Sequence, residues 1–204
     1  MLFPLILCAL LAVACLVLLL ARRRREEWLP VVDERGRTVG KAARRRCHGR
    51  SRLLHPVVHL HILGPRGEVY LQKRGKQKRL LPGKWDTAVG GHVSAGESIE
   101  EALKRESLEE LGLTRLTARF LGSYLWENPR ERELVYTFLC TSRDNIRVNP
   151  AEIEEARFWS RAEIETPANA THFTPNFLHE YALFLKRAPR DTKRGTDNRS
   201  PIQV

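Results

Sequence analysis

The chain has 204 residues, enough for one globular domain with terminal extensions and too few for two independent cores. Its formal net charge is +11, but residues 1–54 hold 12 basic and 4 acidic groups, residues 55–186 hold 18 of each, and residues 187–204 hold 5 and 2. The excess is therefore terminal and carries no aromatic interleaving or recognition motif, which argues against nucleic acid as a partner.

In chain order, residues 2–21 come first and contain no charged side chain, about the length a helix needs to cross a bilayer. Pro4 is tolerable in a first turn. Arg22 to Arg25 follow the apolar run and nothing basic precedes it, so the charge order predicts one N-terminal transmembrane helix with the rest of the chain cytoplasmic. A cleaved signal peptide or a misassigned start are the alternatives. The flanking arginines would add about 1 kcal/mol each near an anionic leaflet. Cys8 and Cys15 lie in this run, and Cys47 and Cys140 are far apart without CxxC spacing. No disulfide framework or zinc knuckle is implied.

WLPVVDERGRTVGKA reads as two short extended runs around a turn at Glu34 to Gly36. The basic connector RRRCHGRSR follows. HPVVHLHIL, the turn GPRG and EVYLQKR then predict a hairpin, with His59 and His61 on the same side as Val57. GKQKRLLPGKWDTAVGGHVSAGE reads as loop with an extended piece near Trp85 to Val89. A helix is predicted from Ser98, whose S-x-x-E spacing to Glu101 makes a capping box, to Gly112, which stands where a left-handed cap belongs. Strands are predicted at 118–126, 133–140 and 156–160, and a last helix after Thr174 with Pro175 in its first position. The segmentation is thus an anchor at 1–21, a basic juxtamembrane segment with a hairpin at 22–54, a catalytic domain at 55–186 and a disordered basic tail at 187–204.

On the predicted helix, Glu106, Glu109 and Glu110 fall within an arc of roughly 100°, on the side of Ile99, Ala102 and Leu103. Acidic pairs on helices usually mark a solvated face. Three converging carboxylates repel one another, however, and suit a hard cation such as Mg2+ or Mn2+ that bridges them to phosphate oxygens. Such a cation would polarise a P–O bond and lower the pKa of an attacking water.

GHVSAGESIEEALKRESLEELGL from Gly91 resembles the Nudix box: a Gly, five residues, Glu, seven residues, Arg-Glu, an aliphatic, any residue, Glu-Glu, any residue, Gly and an aliphatic. The matching positions are Gly91, Glu97, Arg105, Glu106, Glu109, Glu110, Gly112 and Leu113, and Ser107 departs by replacing an aliphatic. The resemblance implies an α/β/α sandwich around a mixed sheet and hydrolysis of a small-molecule diphosphate with Mg2+ or Mn2+. It implies metal ligation by Glu106, Glu109 and Glu110 beside the Gly91 carbonyl, with Arg105 orienting a carboxylate and Glu97 supporting the loop or a further metal. The general base stays open between Glu109 and the cluster Glu152, Glu154 and Glu155. Lys73, Arg74, Lys76, Lys78 and Arg79 are phosphate-binding candidates or a solvated loop, and Trp85 either stacks on substrate or packs beneath the loop.

A wider stretch, 28–186, resembles the branch that contains isopentenyl-diphosphate isomerase, through LQKR, Lys78, PGKWD, GGHV and FTPNF. That likeness implies a second metal site at His48, His55, His92, Glu131 and Glu133, whose alternative is ordinary surface or strand residues. The isomerase has a cysteine where this chain has Gly90, and proton transfer there then lacks a partner. Cys140 reads better as a small core residue than as its substitute. Hydrolysis is therefore the leading expectation, isomerisation the runner-up, and an inactive diphosphate-binding module the third.

Overall fold

The computed structural model describes residues 26–78, 80–187 and 202–203. Trp28–Val32 (β1) and Thr38–Ala43 (β2) pair antiparallel, and Gly36 takes φ +77° in the turn between them. The basic connector contains one helical turn, α1 (Arg44–Cys47), which ends where Cys47 enters a small core with Leu29 and Ala42. That burial, invisible in a run of arginines, winds a segment predicted as plain connector.

Leu54–Leu63 (β3), in which every residue is buried, is the centre of a mixed sheet. It runs parallel to Arg132–Arg143 (β8), whose other edge pairs antiparallel with Leu116–Glu127 (β7). The opposite edge of β3 is shared. Its first half pairs with Val89–His92 (β6), and its end pairs with Val69–Arg74 (β4), which also pairs with Trp85–Asp86 (β5) and Ile153–Trp159 (β9). Ile202–Gln203 (β10) lies antiparallel on β7, where only a tail was expected.

The helix predicted at Ser98 is Ile99–Leu111 (α2). Ser98 and Glu101 close both halves of the capping box, and Gly112 at φ 64° and ψ 22° caps the other end. Its inner face, with Ala102, Leu103 and Leu111, meets Val58, Leu60, Ile62, Phe138 and Cys140 from one side of the sheet. Leu71, Leu139, Trp159, Phe173, Phe177 and Tyr181 form a second core on the other side. That second layer comes from Arg161–Glu165 (α3), a 3-10 turn at Pro167–His172 and Pro175–Glu180 (α4), which continues as a π-helical turn over Tyr181–Leu185. Alternation along β3 thus sends Val58, Leu60 and Ile62 to α2, leaving Val57, His59 and His61 for the opposite face.

Helix α3 was not predicted, although Ser160 and Glu163 form its capping box. The expected membrane helix at 2–21 lies outside the described residues, among which no helix is long and apolar enough to cross a membrane.

Candidate active site

The carboxylates of α2 meet the sheet at β6. An added Cβ on Gly91 would lie closer than 3.0 Å to Cγ, Cδ and Oε1 of Glu106, so only glycine lets this carboxylate reach the strand. Glu110, one helical turn on, is 4% exposed and accepts hydrogen bonds from Gln72 Nε2 at 2.8 Å and the Gly90 amide at 3.3 Å. Burial, and next the charge of Glu106, push the Glu110 carboxyl up to about 8. Burial likewise raises Glu106 to about 7 against the pull of Arg105, with Glu109 and Glu152 adding repulsion. Glu109, with half its side chain exposed, stands at the mouth.

Arg105 ties this arrangement together. Its Nε and Nη2 donate to the two oxygens of Glu97 at 2.8 and 2.9 Å, Nη1 donates to Glu106 at 2.7 Å, and Nη2 also reaches the His92 carbonyl at 2.9 Å. Glu97 in addition accepts from the Ser94 amide. Although burial opposes it, the Arg105 hydrogen bonds hold Glu97 below the ordinary carboxylate range. Glu97 therefore braces the loop before α2 rather than facing Glu110. Ser107, the departure from the box, is fully buried and its hydroxyl has no hydrogen-bond partner, a cost of about 1–3 kcal/mol for a desolvated polar group.

The basic candidates border the same space. Arg74 donates to Asp86 at 3.0 Å and to the Leu80 carbonyl at 3.2 Å, while Lys78 pairs with Glu152 at 2.9 Å. Lys73 and Lys76 both reach Glu154, and Glu155 lies 3.8 Å from Lys73. The acidic cluster at 152–155 is thus fastened to the basic loop, and Glu152 is its member that acts on Glu106. Arg79 lies outside the described residues. Trp85 corrects one expectation. It is 8% exposed, packed edge-on against Trp159 at 5.1 Å with Arg157 over its ring, because β5 turns it into the second core. It is a packing residue there and is not placed to stack on a substrate.

The five dispersed residues of the expected second site come together on the other side of β6. The ring nitrogens of His48, His55 and His92 offer ligand atoms within 4.8 Å of one another. His48 lies 2.5 Å from Glu131 Oε2 and 2.8 Å from His92 Nε2, and His55 Nε2 lies 4.0 Å from Glu133. Helical turn α1 delivers His48, the parallel pairing of β3 with β8 sets His55 opposite Glu133, and β6 supplies His92. Burial drops His55 to about 4 and takes His92 well below the usual imidazole range, so both rings are neutral donors of electron pairs at pH 7. Burial and then Glu131 raise Glu133 to about 8. His55 Nε2 is buried and without a partner. Three imidazoles, one of them with an orphaned ring nitrogen, and two carboxylates are a donor set that fits a divalent cation.

Several residues of this region were not singled out from sequence. Gln72 was legible as a polar residue at an inward position of β4, and Asn128, which donates to Glu131 at 2.9 Å, as a turn residue. Glu180 gave no such signal. Cys140 belongs to the core under α2, on the opposite face of β8 from Glu133, so it is not a substitute for a thiol at Gly90.

A mixed sheet between two helical layers, with a capped acidic helix against a glycine strand, is the arrangement of a phosphoanhydride-cleaving enzyme of the Nudix type. The NUDIX domain model matches residues 53–181, and the chain belongs to the Nudix family. It is 31% identical over 161 residues to a Nudix hydrolase of Yersinia pestis, covering 79% of this chain and 87% of the relative. It is 34% identical to the Nudix hydrolase SCO1686 of Streptomyces coelicolor, covering 77% and 87%. The crystal structure of DR0079 from Deinococcus radiodurans superposes with a TM-score of 0.63 at 27% identity, covering 79% of this chain and all of that one. The chain is a Nudix hydrolase, a family that acts on diphosphate-containing substrates and generally uses divalent metals.

Proposed function

We propose that the chain hydrolyses the diphosphate bond of a nucleoside-diphosphate-linked or similar organic diphosphate, with Mg2+ or Mn2+ held by Glu106, Glu109 and Glu110 beside the Gly91 carbonyl. The observation that carries this reading is the seat of Glu106 against the side-chain-free face of Gly91, with the buried Glu110 carboxylate next to it. Two acids that burial first, and neighbouring carboxylates second, push up to about 7 and about 8 need a cation to ionise together. The metal supplies charge neutralisation at the phosphoryl oxygens. Arg105 fixes the direction of Glu106 and clamps the loop through Glu97. Arg74 and Lys78 are positioned to exchange Asp86 and Glu152 for phosphate oxygens, and release of Lys78 frees Glu152 to accept a proton from water. Glu109, exposed at the mouth, is the other base.

His48, His55, His92, Glu131 and Glu133 are proposed as a second cation site, and their convergence supports the resemblance to the isomerase branch. Isomerisation is disfavoured because Gly90 offers no proton-transfer group. The apolar run at 2–21 with its arginine flank supports a single-pass anchor with the catalytic domain cytoplasmic, to be checked by fractionation and protease protection. The test of the main reading is incubation of the full chain with a panel of organic diphosphates and Mg2+ or Mn2+. Release of two phosphorylated products is expected. Absence of turnover across the panel by folded, metal-loaded protein contradicts the proposal.

A further inference from the structure

On the face of the sheet away from α2, three buried side chains share one carboxylate. Glu180 of α4, fully buried, accepts from Thr137 Oγ1 at 2.7 Å and from His59 Nδ1 at 3.0 Å, while His61 Nε2 stands 3.0 Å from its other oxygen, out of line for a hydrogen bond. Burial works against ionisation of Glu180, but the two imidazoles outweigh it and keep the carboxyl well below its usual range. An ionised carboxylate only accepts hydrogen bonds. The proton on His59 Nδ1 is therefore fixed by Glu180, and the ring's orientation with it.

The other edge of the ring is the one left open. His59 keeps 11% of its side chain exposed. Its partner across the sheet is Gly90, itself exposed, and an added Cβ at Gly90 would stand 3.4 Å from Cδ2 and 3.5 Å from Nε2 of His59. Glycine thus uncovers the Nε2 edge at the strand whose amide binds Glu110. Asp86, which acts on His59 from β5, is the carboxylate that holds Arg74. Gly90, through its amide, and Asp86 thus link the Nε2 edge to Glu110 on one side and to Arg74 on the other, two of the groups to which the diphosphate reading assigns the metal and the phosphates. The titratable groups around it are Glu180 from α4, Asp86 from β5, Glu133 from β8, His92 from β6 and Tyr124 from β7, whose hydroxyl also contacts Glu180. Burial lowers the imidazolium's stability, and Glu180 more than restores it, carrying His59 up to about 9.

We propose that His59, oriented by Glu180, is a substrate-contacting residue that donates from Nε2 to an anionic diphosphate oxygen in the cleft beside Gly90, with Glu180 as its positioning residue. The inference rests on the diphosphate reading but assigns a group outside the Nudix box.

The probe is inorganic pyrophosphate with Mg2+, titrated calorimetrically into the full chain, together with 15N spectra of its histidine rings. Pyrophosphate should shift the His59 Nε2 resonance, and His59→Gln should weaken binding by about ten- to a hundredfold, the range of one charge-assisted hydrogen bond. Glu180→Gln should keep the fold, as judged by the thermal transition, while His59 loses its proton at lower pH and pyrophosphate affinity follows that new titration. Gly90→Ala, which leaves the buried pair intact and puts a methyl over the Nε2 edge, should also weaken binding and serves if His59→Gln fails to fold. Unchanged affinity in these variants with an unmoved His59 signal, while the wild type binds, overturns this proposal and leaves the diphosphate reading standing. Failure of the wild-type chain to bind pyrophosphate at all, with Mg2+ bound, overturns both.

Discussion

Gly91→Ala isolates the contact on which the site is built. The new Cβ would fall closer than 3.0 Å to three atoms of the Glu106 side chain, against an ordinary carbon separation of about 3.5–4.0 Å. The carboxyl group must therefore withdraw by about 1 Å or more, or β6 must move. Metal sites tolerate ligand displacements of only about 0.2 Å, and a misplacement of about 1 Å costs on the order of a hundredfold in rate. The strain of an overpacked site adds roughly 1–3 kcal/mol of destabilisation. Gly90→Ala is the control for folding, because its Cβ meets nothing nearer than 3.4 Å. The assay is steady-state turnover of a diphosphate substrate beside thermal unfolding of both variants. A drop of about a hundredfold or more in kcat/KM for Gly91→Ala, with metal affinity weakened and Gly90→Ala unfolding near the wild-type temperature, is the expected result. Wild-type turnover and metal affinity in Gly91→Ala would mean that the Gly91–Glu106 contact does not set the site.

In metal-free protein, Glu106 and Glu110 have folded-state values above the ordinary 4.5, so the native state binds more protons than the unfolded one. Stability should then fall as pH rises from about 4.5 to about 8. Urea unfolding with chelator should show this slope, and Glu110→Gln should make it shallower while Glu133 keeps its own share. Arg105→Lys keeps the charge but loses the fork that spans Glu97, Glu106 and the His92 carbonyl. Turnover should drop by roughly ten- to a hundredfold, since one misplaced carboxylate costs that much, with the secondary structure seen by circular dichroism preserved. Ser107→Ala removes a buried, unpartnered hydroxyl and should raise the unfolding free energy by about 1 kcal/mol in urea titration. His55→Ala should abolish the absorption of Co2+ bound at the histidine cluster and leave the pH slope assigned to Glu106 and Glu110 in place.

The parts of the fold legible in sequence were those marked by local chemistry. Ser98, Glu101 and Gly112 fixed both ends of α2, because caps are satisfied by neighbours a few residues away. The spacing of Arg105, Glu106, Glu109 and Glu110 placed the acids on one face for the same reason. Ser160 and Glu163 carry an identical signal, but α3 spans only Arg161–Glu165, too short for an apolar period to accompany it. Glu180 was not legible at all. A glutamate in an amphipathic last helix reads as solvent-facing, and its partner His59 is 121 residues away in the chain. Only the packing of α4 across β3 and β8 creates that pair. The π-helical turn at Tyr181–Leu185 likewise has no local marker. His48, His55 and His92 lay between, since each was visible as a candidate, but their spacing is set by α1, β3 and β6 rather than by sequence distance.

Whether the three glutamates of α2 hold a cation is read directly from the anomalous signal of Mn2+ in crystals of the full chain. A peak bounded by the carboxylates of Glu106, Glu109 and Glu110 and the Gly91 carbonyl is expected, and it should be lost in Glu110→Gln. Mn2+ bound elsewhere, with these three side chains turned to solvent and no density among them, would contradict that expectation.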